Sequence, residues 1–349
     1  GELEERQGRP DREPVVTFPE GLTIDTIQGA VPGTEGEVQI WYRPMSDTRW
    51  RKTMWQAVEP ARDFTRQIAL RDLTPATYYV LQVHCRKNAE SPEGQLIEGR
   101  FVTAPLPDAE ARVLFTVSTG QAYPDQDAPG GGFKIYPSML AIAPDFFVHT
   151  GDIVYYDQLA KSLPLARWHW QRMYSLPTNV EFHRYTASYF IKDDHDAWKN
   201  DCWPTEQTRF MGDFTFAQGL EVFHEQVGMG KSTYRTQRWG KDLQVWMVEG
   251  RDFRSPNDMP DGPDKTIWGK TQKDWFKRTV EASDATFRVL ISPTPLVGPD
   301  RTNKNDNHSN AGFTHEGDEL RAFIASQKNM VVVCGDRHWQ YVSRHPKTG

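Results

Sequence analysis

The hydrophobic pattern of the chain changes at a short proline-rich linker, Pro105 to Pro107. Before the linker, apolar and polar residues alternate in short runs such as 38–42 and 79–85, which is the period of strands with one buried face. After it, compact apolar runs alternate with longer helix-like stretches, a pattern typical of buried strands that take turns with helices. The sequence therefore predicts an α/β fold class, in which a layered α/β domain follows an all-β sandwich domain.

The chain has 349 residues, which is enough for two domains. Residues 1–14 are charged and contain proline and glycine, so we expect a flexible N-terminal segment there. Residues 15–105 are expected to form the sandwich. Leu73, Pro75 and Tyr79 follow one another in a way that resembles the tyrosine corner of fibronectin type III domains. The remaining part, from residue 110 to residue 349, is expected to form the α/β domain.

The α/β part contains five apolar runs and three helix-like stretches. The runs predict buried strands at 113–117, 146–148, 243–248, 289–291 and 330–333. The helix-like stretches predict helices at 165–174, 270–281 and 318–327. In open α/β sheets, ligands bind beyond the carboxyl ends of the strands. The residues that follow the strands are therefore the first candidates for a functional site.

Acidic and histidine side chains follow three strand-like runs: Asp152 follows the run at 146–148, Asp194 and His195 follow a run at 189–191, and Asp336 and His338 follow the run at 330–333. One such strand end is commonly a cap or a salt bridge, but three together favour a metal site. Hard metal cations prefer carboxylate and imidazole ligands. A carboxylate can also bridge two ions ~3.5–4 Å apart, which then hold the attacking and leaving oxygens of a phosphate ester.

Three motifs follow one another in this part of the chain, GDIVY at 151–155, DDHDAWKN at 193–200 and GDRH at 335–338. Their order resembles that of the calcineurin-like metallophosphoesterases. The second motif is similar to that of the PhoD-type alkaline phosphatase and phospholipase D branch, and the resemblance covers nearly all of residues 112–345. It implies a metallophosphoesterase domain that hydrolyses phosphate mono- or diesters, with a metal-bound hydroxide as the nucleophile.

The resemblance also implies two or more metal ions, with ligands assigned by position. Asp152 corresponds to the bridging carboxylate. Tyr155 and His338 correspond to ligands of the first metal, which implies Fe³⁺ or Mn²⁺ there. Asp194 and Asp336 stand where related enzymes have asparagine and histidine. These two replacements make the second site rich in oxygen, and such a site suits Ca²⁺ better than Zn²⁺.

Four further residues are candidates for catalytic roles. His195 corresponds to the histidine that protonates the leaving group, and Asp196 is the candidate to orient it and raise its pKa. Arg251 either binds phosphate through its fork of N–H groups or forms a structural ion pair with Glu249 or a neighbouring aspartate. Asn200 either positions a substrate oxygen or caps a loop.

The sequence departs from the family pattern at two places. Thr119 occupies the position at which the branch commonly has a cysteine that binds iron, and a hydroxyl is a much weaker ligand than a thiolate. The departure argues against ferric iron at the first site. A histidine expected after the run at 289–291 is missing. His308 and His315, in the loop that follows, are the candidates to replace it.

Two other functions stay open, a hydrolase of another ester such as sulfate and a surface-polymer binding protein that has lost activity. On the leading interpretation the partner is a small-molecule or polymer phosphate ester. The net charge of -6 indicates no nucleic-acid partner, and no apolar run reaches the ~18–20 residues of a transmembrane helix. The resemblance implies a secreted or periplasmic bacterial protein, although no signal peptide is recognisable. The oligomeric state is not indicated.

Overall fold

The computed structural model describes residues 3–6, 15–301 and 303–347. Within this part of the chain the strands are β1 (Glu4–Arg6), β2 (Val15–Thr17), β3 (Glu37–Pro44), β4 (Arg51–Lys52), β5 (Gln56–Ala57), β6 (Tyr78–Arg86), β7 (Ile97–Val102), β8 (Phe115–Ser118), β9 (Phe146–His149), β10 (Ala187–Phe190), β11 (Arg235–Trp239), β12 (Leu243–Met247), β13 (Phe287–Ser292) and β14 (Met330–Cys334). The α-helices are α1 (Ile135–Ala141), α2 (Leu163–Tyr174), α3 (Pro177–Tyr185), α4 (Asp194–Ala197), α5 (Phe216–Gln226), α6 (Gly269–Glu281) and α7 (Thr314–Ser326). The predicted α/β fold class is confirmed.

The N-terminal residues pack against the α/β domain. β1 pairs with β2 in an antiparallel two-stranded sheet, and Phe18 and Ile27 join an apolar cluster formed mainly by helices of the α/β domain. The prediction of a flexible segment is therefore corrected at residues 4–6, which pair along their whole length. Residues 1–2 and 7–14 of that segment lie outside the described residues.

Residues 37–102 contain a single antiparallel sheet. Its strand order is β4-β3-β6-β7, and β5 also pairs with β3. The hydroxyl of the buried Tyr79 accepts a hydrogen bond from the backbone N–H of Thr74 at 2.9 Å, which is the bond of a tyrosine corner. Residues 15–31 contribute no strand to this sheet, because their apolar side chains pack on the helices of the α/β domain. The assignment to the fibronectin type III fold stays a prediction.

Two sheets form the framework of the α/β domain. The first has the order β10-β9-β8 and is parallel throughout. The second has the order β11-β12-β13-β14, with β12 to β14 parallel and β11 antiparallel to β12. Parallel strands end at the same edge of their sheet, so the segments that follow β9 and β10 lie side by side.

The side chains of β9 show how the layers are filled. Phe146 and Val148 pack with Val245 and Ile291 of the second sheet in a cluster between the two sheets. Phe147 points the other way and packs with helices α1, α2, α3 and α5, because successive side chains of a strand point to opposite faces. The strand is buried on both faces, which explains its continuous apolar sequence. Helices α6 and α7 cover the outer face of the second sheet.

All predicted strands and helices of the α/β part are present, with ends that differ by a few residues from the expected ones. The sequence analysis did not predict β11 or the helices α1, α3 and α5. β11, for example, has the mainly polar sequence RTQRW and lacks the apolar run that identified its neighbours. In the part of the chain that the structure describes, no helix combines the length and the apolar character needed to span a membrane.

Candidate metal centre

Asp152 lies just beyond β9 on a turn that requires glycine at the preceding position. Gly151 has a φ of 105°, and a Cβ added there would lie 2.5 Å from the Cβ of Asp193. Asp152 has a φ of 54°, in the left-handed region that residues other than glycine rarely adopt. Its N–H donates to Oδ1 of Asp196 at 3.1 Å. This bond stabilises a turn that by itself costs about 1–3 kcal/mol.

Asp194 and His195 begin the four-residue helix α4, which follows β10. Asp193 caps this helix, and Asp196 completes the capping box by accepting a hydrogen bond from the N–H of Asp193 at 2.8 Å. On its other side, Asp194 accepts a hydrogen bond at Oδ2 from the N–H of Asp201 at 2.6 Å. Asp194 is therefore held on both sides, by its helix and by the following loop.

Asp336 and His338 follow β14 of the second sheet, and both have left-handed backbones, with φ values of 69° and 57°. Gly120, in the loop after β8, lies against the imidazole of His338. A Cβ added to Gly120 would be 2.7 Å from the ring atoms Cδ2 and Nε2. The guanidinium of the buried Arg337 pairs with the carboxylates of Asp336 and Asp300. The left-handed backbones of Asp336 and His338, together with the close approach of Gly120, thus position the loop that follows β14.

The three strand ends meet at a pocket of about 260 Å³. The predicted site residues in its lining are Asp152, Asp194, His195, Asn200, Asp336 and His338. Its other lining residues are Arg301, Lys304, Arg337 and Trp339. An adjoining cavity of about 1170 Å³ shares His338 and Trp339 with this pocket, and Tyr155 lines that cavity. Six of the nine predicted site residues therefore line one pocket, although they come from distant parts of the chain.

The donor atoms in the pocket fit a divalent cation. Asp152, Asp194 and His195 each offer one donor atom, and the three atoms lie within 4.8 Å of one another; the two carboxylates are the candidate ligands, and His195 lies beside them. Nε2 of His338 is 2.7 Å from Oδ2 of Asp152, and the hydroxyl of Tyr155 is 3.5 Å from the same nitrogen. Oδ1 of Asp152 is buried without a hydrogen-bond partner among the described residues. A buried carboxylate oxygen of this kind is costly unless a cation binds it.

The electrostatics of the carboxylates agree with that fit. Burial, followed by the charge of Asp194, raises the pKa of Asp152 well above its ordinary value. Burial also opposes ionisation of Asp194, but the charges of Arg251 and His195 hold its pKa below the ordinary value. Burial and the charge of Asp194 raise the pKa of Asp336 to about 6. A cation bound among these groups would favour their charged forms and remove this cost.

The carboxylate that orients His195 is Asp157. Nδ1 of His195 lies 3.0 Å from Oδ1 of Asp157, and the other oxygen of Asp157 accepts a hydrogen bond from the N–H of Asn200 at 3.1 Å. Burial disfavours the charged imidazole, but the charge of Asp194 and the bond to Asp157 raise the pKa of His195 to about 10. This placement corrects the prediction for Asp196, whose Oδ1 accepts two backbone hydrogen bonds instead.

Arg251 lies behind the pocket and is fully buried. Its Nε donates to Oδ1 of Asp193 at 2.7 Å, and it also donates to the carbonyl oxygen of Cys202 at 3.2 Å. This arrangement corrects the prediction of a phosphate-binding arginine, because the guanidinium is fully buried and its N–H groups are bonded to Asp193 and Cys202. Of the two alternatives, the structure shows the ion pair with a neighbouring aspartate. Through its charge, Arg251 acts on the carboxylate of Asp194.

Thr119, where the family commonly has a cysteine, and the candidate replacement histidines His308 and His315 lie outside the pocket lining. The hydroxyl of Thr119 is buried without a partner among the described residues and lines the larger cavity. His308 is buried, and its Nε2 lies 2.9 Å from a carboxylate oxygen of Glu316. The N–H of His315 donates to Asp261 at 3.0 Å. Neither histidine therefore replaces the missing one in this pocket.

Sequence reasoning assigned no role to Asp157, Arg301, Lys304 or Arg337. Asp157 stands only two residues after Tyr155 in the first motif, and its closeness to the motif was the available signal. Arg337 stands inside the third motif, between Asp336 and His338, which was its signal. Arg301 and Lys304 gave no signal, because basic residues in a loop of this composition are usually solvated, and only the fold places their loop, between β13 and α7, beside the pocket.

Two stacked sheets with helices outside them, and a cluster of carboxylates and histidines at their carboxyl ends, are the architecture of the metallophosphoesterase fold. The chain belongs to the PhoD-like phosphatase family, whose model matches residues 115–348. This finding confirms the resemblance inferred from the motifs. No curated protein matches the chain by sequence.

Solved structures share the fold. The structure of PhoD matches with a TM-score of 0.73 and 18% identity, over 96% of this chain and 71% of the PhoD chain. A purple acid phosphatase isolated from yellow lupin (Lupinus luteus) seeds matches with a TM-score of 0.52 and 12% identity, over 84% of this chain and 51% of its own. At these identities the likeness is one of fold.

Proposed function

We propose that the protein is a metal-dependent hydrolase of phosphate mono- or diesters. The observation that carries the proposal is the convergence of Asp152, Asp194, Asp336 and His338 from three strand ends on one pocket. Membership of the phosphatase family supports the same reaction class. Buried carboxylates that repel one another are costly to keep together without a cation, which argues for a working metal site.

Asp152 is the central ligand in this proposal, because one of its oxygens contacts His338 and the other has no partner. Asp194 and Asp336 supply the oxygen-rich side, where we propose Ca²⁺, while the side near Tyr155 and His338 would hold Fe³⁺ or Mn²⁺. When bound, the ions would polarise the phosphate and activate a water molecule for in-line attack.

His195 is the proposed general acid, and Asp157 its positioning residue. A general acid must be protonated before it acts. Although burial disfavours the charged imidazole, the charge of Asp194 and the bond to Asp157 raise the pKa of His195, which favours the protonated form. The bond from Nδ1 to Asp157 leaves the second ring nitrogen to donate its proton to the leaving alkoxide. Asn200 lines the same pocket and is the proposed partner of a substrate oxygen. A secreted or periplasmic location belongs to the proposal and rests on the family resemblance.

The test is recovery of activity with single metals after chelation. The substrates are 4-nitrophenyl phosphate and bis(4-nitrophenyl) phosphate, with 4-nitrophenyl sulfate to address the alternative ester. We expect Ca²⁺ or Mn²⁺ to restore phosphoester hydrolysis, since oxygen ligands dominate the second site. The variant Asp152→Asn should stay inactive. Asp264 is exposed and does not line the pocket, so Asp264→Asn should behave as the parent. Absence of phosphoester hydrolysis with every metal would refute the proposal, and full recovery with Zn²⁺ alone would contradict the oxygen-rich site.

A further inference from the structure

Two of the three basic side chains with fixed positive charge in the pocket lining are already neutralised. Nζ of Lys304 lies 2.8 Å from both carboxylate oxygens of Asp201 and 3.3 Å from Asp306. Arg337 is buried and pairs with two carboxylates, one of which is Asp336. Recruiting either side chain to a substrate would leave carboxylates without a partner, so neither is well suited to bind an anion.

Arg301 is the third basic residue of the lining, and its guanidinium is uncommitted. It is exposed, and among the described residues its side chain has no ion-pair or hydrogen-bond partner. Its backbone N–H, in contrast, has a hydrogen-bond partner. The N–H of Arg301 donates to Oδ1 of Asp300 at 2.5 Å, and the other oxygen of Asp300 accepts hydrogen bonds from Asn307 at 2.8 Å and Asn310 at 3.1 Å. Asp300 also pairs with Arg337.

Among the described residues, the pocket therefore has an acidic wall and one basic side chain without a partner. The acidic wall is formed by Asp152, Asp194 and Asp336, and Arg301 belongs to the loop between β13 and α7, which supplies another part of the lining. A phosphoryl group held by cations on the acidic wall would direct two oxygens towards them. In a monoester the third non-bridging oxygen remains, and it carries negative charge. In a diester the corresponding atom is an ester oxygen, which is uncharged and a weaker acceptor.

We infer that Arg301 binds the third non-bridging oxygen of the substrate phosphoryl group and gives the site a preference for phosphate monoester dianions over diester monoanions. The inference rests on the proposed function and names the substrate class of that site. Arginine suits the role because its parallel N–H groups match phosphate oxygens. The observation that carries it is a guanidinium without a partner among the described residues, in a pocket whose other basic side chains are paired.

The experiment compares Arg301→Ala and Arg301→Lys with the parent, and with Arg278→Ala as the control. Arg278 is an exposed arginine of α6 with no place in the pocket. Arg301→Ala should lower kcat/KM for 4-nitrophenyl phosphate by roughly 10–100-fold, because it removes hydrogen bonds between charged groups. The loss for bis(4-nitrophenyl) phosphate should be at least about five times smaller, and Arg301→Lys should recover part of the monoester activity. Equal losses for both esters, or no loss, would overturn the inference.

A binding measurement separates this inference from the proposed function. Calorimetric titration of the metal-loaded protein with inorganic phosphate and with dimethyl phosphate needs no turnover. Arg301→Ala should weaken the binding of phosphate more than that of dimethyl phosphate, and Arg278→Ala should weaken neither. If the parent hydrolyses no ester but the variant still shows this difference, the inference stands without the proposed function. If hydrolysis is present and the two ligands lose affinity equally, the proposed function stands and the inference fails.

Discussion

Replacing Asp157 by Asn tests whether the hydrogen bond to His195 supports general acid catalysis. The bond is 3.0 Å long, and the side chains of His195 and Asp157 are only 16% and 13% exposed. A hydrogen bond between charged groups contributes about 1.5–3 kcal/mol, which corresponds to roughly a 10–150-fold slower protonation step. Asp157→Asn keeps the shape of the side chain but removes its charge. It should therefore slow hydrolysis of an alkyl phosphate by that factor.

The assay compares an alkyl phosphate with 4-nitrophenyl phosphate, whose leaving group needs little protonation. Asp157→Asn should slow the nitrophenyl ester much less, and His195→Ala should slow the alkyl ester by roughly 10²–10⁴-fold. Removing the carboxylate also lowers the pKa of His195, so the alkaline limb of the pH–rate profile should move to lower pH. Asp264→Asn serves as the control. Equal losses for the two esters would show that His195 acts as a metal ligand or binding residue, and the reasoning would be refuted.

Three further changes test the frame of the site and its metals. Gly151→Ala should lower the free energy of unfolding by at least about 2 kcal/mol, since the new Cβ meets Asp193 at a positive φ, while Gly262→Ala, which meets no atom within 4 Å, should not. Glu316 has its pKa lowered to about 2, against burial, by the bond to its histidine partner. The ionised carboxylate should therefore stabilise the protein fully above about pH 4.5 and less as the pH falls towards 2, so Glu316→Gln should destabilise the protein at neutral pH and little at pH 2 in chemical denaturation. Thr119→Cys should raise the iron content measured after loading; an unchanged iron content would show that this position does not contact the metal.

The elements of the α/β domain were predictable because their burial leaves a direct trace in the sequence. β9 is covered on both faces, so three successive positions are apolar, and the run at 146–148 identified it. The candidate metal ligands were predictable for a related reason. Strand direction places whatever follows a parallel strand at one edge of the sheet, and Asp152, Asp194 and Asp336 all occupy such positions.

The partners of individual side chains were not predictable in the same way. Asp196 follows His195 directly, which led to the prediction that it orients the imidazole. Helix α4 instead turns the carboxylate of Asp196 towards backbone N–H groups. Asp157, thirty-eight positions away, takes the role instead. Arg251 follows a strand as a site residue would, yet the surrounding chain buries it beside Asp193. Local spacing cannot distinguish these outcomes, because they depend on which way a side chain turns.

The sequence by itself determined the α/β class, the strands that carry the site and the aspartates and histidines at their ends. These features follow from local apolar patterns and from residue chemistry, which act over a few neighbouring positions. Only the tertiary structure decided that Asp157 meets His195, that Arg251 is buried, that Glu5 of β1 contacts the α/β domain and that the side chain of Arg301 has no partner among the described residues. Those contacts join segments distant in sequence, and their choice is made by packing and by competition among charges once the layers have come together.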